Sequence, residues 1–324
     1  MAEPVSERLR QLPELRLLEA AELVQKLAKE HGTQTVSAQL WNLAAEHADE
    51  KNKLVSIVSA VGMSGVKEFA PVIMEHGLNH GSPGVRLASV KALSALREPV
   101  SLSFALHDSD NDVVLSAAEG LAQMGPLLKP AAVEALANHG LTHGSPKVVA
   151  ASANAIAAAG DFKTLFQKGI ASENEALRDA AARAFGAAGS EAVAKLAELG
   201  LRSDKVTERT ATARALGKII IHEPEGRVDA ILKLVDHLYE ENQLSKTVRA
   251  ICKNQLEKAA DELEHRAASR KQAESPALRT EAEQAGFDAF LIRDALEKKE
   301  QGFDEYVREK KERAKREKAG AKRA

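Results

Sequence analysis

Aromatic side chains are scarce in this 324-residue chain, which has one Trp, two Tyr and eight Phe, 3% of its residues. An interior with so few rings must be filled by Ala, Leu, Val and Ile. Small side chains let helices approach closely, which suits stacked helices better than one large globular core. Cysteine is nearly missing as well. A single Cys252 excludes an intrachain disulfide and leaves a cysteine-built metal site without ligands. No run approaches the about 20 consecutive apolar residues of a membrane span. Behind the opening Met1-Ala-Glu-Pro-Val-Ser-Glu there is no apolar segment of a secretory signal. The expectation is a soluble, cytoplasmic protein. Charge of one sign is lacking too: the net is −2, so the chain as a whole is not a polyanion binder. No P-loop, GxSxG or GxGxxG occurs, and no stretch shows the alternation of a strand.

What the chain does have is repetition. Gly77-Leu-Asn-His-Gly-Ser-Pro83 returns 63 residues later as Gly140-Leu-Thr-His-Gly-Ser-Pro146, identical at six of seven positions. Each copy runs into a similar apolar segment, Val85–Leu96 and Val148–Gly160. Related segments start near Lys51, Val113, Leu177 and Glu208, and a weaker one at Val248. Within each, apolar residues recur at i, i+3, i+4 and i+7, a helical period. Gly62, Gly125, Gly160 and Gly189 stand where a left-handed C-cap is wanted. Ser82-Pro83 and Ser145-Pro146 offer a capping hydroxyl before a first-turn proline. Asp110, Asn174 and Ser203 lie in equivalent polar starts. Second helices of varying length fall between these segments: Val66–His76, Val100–His107, Leu127–His139, Phe162–Gly169, Glu191–Leu199 and Val228–Glu240. Residues 1–49 carry no clear repeat. They read as two helices, one with Pro13 near its first turn and running to about His31, the other spanning about Thr35 to His47, which together cap the stack. Trp41 is read as core of that cap, with a ligand platform as the lesser alternative.

The repeated helix resembles that of HEAT repeats, of the short type found in phycobilin-lyase subunits. The resemblance is carried by Val85-Arg86, Leu177-Arg178, Arg209 and Val248-Arg249 with the Ala and Leu positions that follow, and it covers about residues 50–265. Val114 and Val149 depart from it, where the arginine is missing. It implies an all-α, right-handed superhelical solenoid of about six or seven helix pairs, and fold alone does not assign a function. HEAT solenoids mostly bind other macromolecules. Deoxyhypusine hydroxylase, a HEAT-repeat enzyme, draws iron ligands from repeated His-Glu pairs. This chain has only His222-Glu223 and does not fit it.

Two pairs of histidines, His76/His80 and His139/His143, stand four apart. A glycine after each first member breaks the helical geometry a metal would need, so a structural turn is expected, with no metal and no cofactor. Arg86, Arg178, Arg209 and Arg249 are expected to pair with acids near the repeat turns, such as Asp108, Asp112, Glu175 and Asp204. Gly120, Gly186 and Gly217, inside the repeated helices, are read as sites of close helix packing.

From residue 266 to 324 the repeat gives way to a charged, mobile helical tail. A short motif occurs there twice, as Gly286-Phe-Asp-Ala-Phe-Leu291 and Gly302-Phe-Asp-Glu-Tyr-Val307. Asp288 and Asp304 are placed as helix caps behind a glycine break. Phe287, Phe290, Phe303 and Tyr306 either dock on the solenoid or anchor a partner. Residues 308–324 hold nine Lys or Arg and three Glu, a net +6 that leaves −8 on the remainder. Lys310, Lys311, Arg313, Lys315 and Arg316 there can meet an acidic surface or RNA. The resulting expectation is a non-catalytic scaffold or adaptor. It would bind protein partners within a larger complex through the 50–265 solenoid, with a second contact from the tail. Two alternatives are a lyase- or chaperone-like HEAT subunit and an RNA- or microtubule-associated factor acting through the basic tail.

Overall fold

The computed structural model describes residues 4–47, 49–224, 227–239, 246–270, 275 and 277–298. Every regular element among them is a helix; no strand occurs. The chain divides into two units, Met1–Gly169 and Ile170–Ala324.

In the first unit, α1 (Val5–Leu9) and a short 3-10 turn, Leu12–Glu14, lead into α2 (Leu17–His31) and α3 (Thr33–Glu46). The helix expected to begin near Pro13 starts four residues later, because Leu15 and Arg16 are extended and Pro13 belongs to the 3-10 turn. Then come α4 (Lys51–Met63), α5 (Ala70–Val72), α6 (Pro83–Ala95), α7 (Pro99–Ala105), α8 (Asn111–Met124), α9 (Pro130–Ala135), α10 (Pro146–Ala158) and α11 (Phe162–Leu165). The even-numbered helices α2, α4, α6, α8 and α10 stack side by side, and the odd-numbered ones form the second layer. The repeated periodicity explains this. In α8, Val113, Val114, Ala117, Ala118 and Leu121 fall on one face and are fully buried. Each such Leu or Val contributes about 1.5–3 kcal/mol over leaving it exposed. Helices α5 and α9 end in wide π-type turns, Ile73–Gly77 and Leu136–Gly140, so the second layer is shorter and less regular than the first.

The second unit holds α12 (Glu175–Ala187), α13 (Ser190–Leu201), α14 (Val206–His222), α15 (Arg227–Tyr239), α16 (Lys246–Arg270) and α17, residues 277–298. Here α14 packs on α12 and α16 in one layer and α13 on α15 in the other.

Small residues set the spacing within each layer. A Cβ on Gly120 would lie 2.8 Å from Ser94 Oγ, and one on Gly186 or Gly217 would meet Glu223 or Gln255 at 2.6 Å, so these glycines permit close packing as expected. Gly125, Gly160 and Gly189 have positive φ, as C-cap glycines should. Gly62 does not. It lies inside α4, where an added Cβ would sit 2.5 Å from the Cα of Ala92, so its role is close approach to α6, and the positive φ falls on Gly65. The single thiol, Cys252, is buried in α16, and desolvation pushes its pKa up to about 11.

Candidate functional site

The repeated Gly-Leu-x-His-Gly-Ser-Pro segment is a built turn. Asp110 and Asn174 cap their helices with side-chain oxygens as expected, but Ser82 and Ser145 do not. They stand at the N-cap without a hydroxyl bond. The histidine two residues earlier ties down the N-cap residue itself: Ser82 N–H donates to His80 Nδ1 at 2.9 Å, and Ser145 N–H to His143 Nδ1 at 3.0 Å. A backbone N–H can only donate, so both Nδ1 atoms are unprotonated and each neutral ring carries its proton on Nε2. The turn then packs tightly. A Cβ on Gly77 or Gly140 would lie 2.1 Å from Ser89 or Ser152 Oγ.

The repeat arginines serve these turns through carbonyls more than through acids. Arg86 Nη1 donates to the carbonyls of His80 and Gly81, Arg178 Nη1 to those of Ser172 and Glu173, and Arg209 Nη1 to that of Ser203. Only Arg86, of these three, also holds an expected acid, gripping Asp108 through Nε at 2.7 Å and Nη2 at 2.8 Å. Burial alone would raise the Asp108 carboxyl. Its bonds from Arg86 and from the Asp110 and Ser109 backbone hold it below the ordinary carboxylate value. Near this turn, His107 and His139 bring their Nε2 atoms to 3.0 Å. Among the described residues no group of three or more His, Cys, Asp or Glu is placed to hold a metal.

The tail departs from its expected form in one respect that matters. Residues 277–298 are one uninterrupted helix, so Gly286 is not a break and Asp288 is not a cap. Ala282, Ala285, Ala289, Ile292 and Leu296 make a buried apolar stripe. Asp288 is buried beside it, accepting from Arg227 Nη1 and Gln284 Nε2, both at 2.8 Å. Arg227 Nε donates in turn to the Ile220 carbonyl at 2.7 Å. Arg293 adds bonds to Asp261 and to Glu264 of α16, at 2.5 and 3.1 Å. Helix α17 is thus fixed along one side. Phe287 and Phe290 lie on the other, 58% and 64% exposed. Phe303, Tyr306, Lys310, Lys311, Arg313, Lys315 and Arg316 lie outside the described residues.

Two features escaped the sequence reading. The first is a cavity of about 390 Å³ in the first unit. Its walls come from α3, α4 and the irregular segment 67–77; Trp41 is half-buried on one side, with Phe69 and Ile57 buried beneath. The second is a cleft of about 630 Å³ walled by Arg178, Arg214, Lys218 and Lys258 against Glu175 and Asp179, with Lys218 paired to Asp179. Nearby, burial first and then the charges of Arg183 and Arg266 hold His222 below its ordinary value. Neither feature has a local signature, since each assembles residues from several separate elements.

Successive helix pairs in layers, joined by repeated turns, define the arrangement. Its architecture is HEAT-like. No protein-family model matches the chain, and no curated protein matches it in sequence. Solved structures do match. One of importin beta has 13% identity and a TM-score of 0.37 over 86% of this chain and 52% of that one. The complex of CpcE and CpcF of phycocyanin lyase from a Nostoc species has 17% identity and a TM-score of 0.29, over 74% and 94% of the two chains. An archaeal HEAT-like repeats protein from Thermococcus onnurineus has 13% identity and a TM-score of 0.26, over 90% and 99%. The HEAT-like chain spans about half the length of the importin beta chains it matches. At these scores no activity, substrate or partner passes from those proteins to this one. Among the described residues, no helix is long and apolar enough to cross a membrane.

Proposed function

We propose that this HEAT-like array is a non-catalytic scaffold or adaptor in the cytoplasm, and that it holds a protein partner on the outer face of α17. One observation carries the reading. A helix clamped from behind by the buried Arg227–Asp288 pair presents two phenylalanine rings to solvent, each more than half exposed. Large rings are favoured anchors at interfaces, where they fill pockets on the partner. Burying each is worth about 1.5–3 kcal/mol. A helix already fixed in place loses little further entropy when it binds. The tail beyond supplies the second contact, through Phe303 and Tyr306 and the basic residues Lys310, Lys311, Arg313, Lys315 and Arg316. That contact is electrostatic in part and weakens with salt.

The test is capture of partners by the full chain and by Phe287→Ala/Phe290→Ala, with Phe104→Ala as a control for general stickiness, since Phe104 is equally exposed at 61% on α7. The proposal expects partners lost at least tenfold from the double variant and retained by the control. Equal capture by all three proteins would remove α17 as the docking face.

A further inference from the structure

The irregular second layer of the first unit leaves space that a longer helix would fill. Between Met63 and Pro83 the chain makes a 3-10 turn at Lys67–Phe69, the three-residue α5 and the wide turn Ile73–Gly77. Opposite, α3 contributes small side chains, Ser37, Ala44 and Ala45. Protein interiors are otherwise packed nearly to crystal density, and the cavity of about 390 Å³ lies within the about 300–1,000 Å³ range of small-molecule sites.

We propose that this cavity is a binding site for a small, neutral, largely apolar ligand that carries one hydrogen-bond acceptor. The apolar part follows from the walls: Leu54, Ile57 and Phe69 are buried there, and Trp41 offers a flat aromatic surface. The acceptor follows from His80. Its Nδ1 is occupied by the Ser82 N–H, so Nε2 carries a proton, and the described residues supply no partner for it. Neutrality follows from the apolar walls, where an unpaired charge of either sign is costly; Glu75, exposed at the edge of the same cavity, further disfavours an anion. The turn alone does not make a ligand site, because His143 makes the same bond in the second copy. The combination of that donor with the apolar hollow and the tryptophan is what points to a ligand. The cavity belongs to the first unit and the Phe287–Phe290 face to the second, so either reading can fail without the other.

Trp41 is the only tryptophan in the chain, so its emission reports on the cavity wall directly. The probe is 6-propionyl-2-(dimethylamino)naphthalene, a neutral aromatic ketone. Titrated into the full chain, it should quench Trp41 and show sensitised dye emission. It should bind at least tenfold more tightly than anilinonaphthalene sulfonate, an anion, or than 2-(dimethylamino)naphthalene, which lacks the carbonyl. Val58→Phe fills the cavity from α4. Ala44→Leu fills it more mildly from α3, should the first variant fail to fold. With the melting temperature retained, either should weaken binding at least tenfold. Unchanged Trp41 emission at saturating ketone, or binding that survives the filled cavity, overturns the site. Equal affinity for the sulfonate or the carbonyl-free dye overturns the assignment of a neutral acceptor ligand.

Discussion

At the scale of single residues, stability is concentrated where a charge is buried and paired. Asp108 is gripped by Arg86 at two points, and both side chains are largely buried. Asp108→Asn should lower stability by about 1–3 kcal/mol at pH 7. The sign of its pH dependence is fixed by the depressed carboxyl. Its stabilisation is fully present above the unfolded value near 4 and is lost as pH falls through the folded value. Urea midpoints of the wild type and Asp108→Asn should therefore converge below about pH 4; a gap unchanged down to pH 3 would contradict the pairing. Cys252 behaves in the opposite way. Burial raises its thiol pKa to about 11, so the native protein should resist thiol reagents at pH 8 and react fully only when unfolded. Gly160 has φ of +76°, and an isoleucine or valine there is strained. Gly160→Val should cost about 1–3 kcal/mol; an unchanged melting temperature would show that α10 does not need its left-handed end.

Among the elements, α17 shows most plainly where a local reading stops. Gly160, Asn174 and Gly189, which bound α10 and α12, were legible as caps, but of α17 the aromatics of one face were read and the apolar stripe of the other was not. Asp288 was misread. A short polar residue just after a glycine has the local signature of an N-cap, and its actual partner, Arg227, is 61 residues away in sequence. The same limit explains Gly62, whose neighbour Ala92 is on another helix; the repeat arginines Arg86, Arg178 and Arg209 are the reverse case, since acids were expected and the partners they share are carbonyls of their own turns, five or six residues away. The limit also hid the Trp41 cavity, since a void is made by what several helices leave unfilled. The docking of α17 is tested by Asp288→Ala, which strands a buried guanidinium. A broken buried pair costs about 3–5 kcal/mol, and amide exchange over 277–298 should rise at least tenfold. Phe287→Ala/Phe290→Ala should change stability by less than about 0.5 kcal/mol, because both rings already face water. A clear loss of stability in that variant would place the rings in the protein's own core.

At the scale of the whole molecule, what matters is which large side chains the packing leaves at the surface. Two units of stacked helices each bury a core of Ala, Leu, Val and Ile, and the large residues left outside include Phe104, Phe287 and Phe290. Charge is uneven along the chain, with +6 on residues 308–324 against −2 in total. Recognition could thus be apolar, through α17, or electrostatic, through the basic end, and salt separates the two. Deleting the tail would be a poor test, since removing α17 takes Asp288 from Arg227 and exposes the surface against which the α17 stripe is buried. The most direct measurement keeps the full chain. Partners are captured from nuclease-treated lysate at low and high salt, with the wild type, with Phe287→Ala/Phe290→Ala, and with Lys310, Lys311, Arg313, Lys315 and Arg316 changed to Gln. The account predicts a protein partner that withstands high salt, is lost at least tenfold from the phenylalanine variant and is at most weakened by the basic-residue variant. A partner kept by the phenylalanine variant, but removed by salt or by loss of the basic residues, would contradict it.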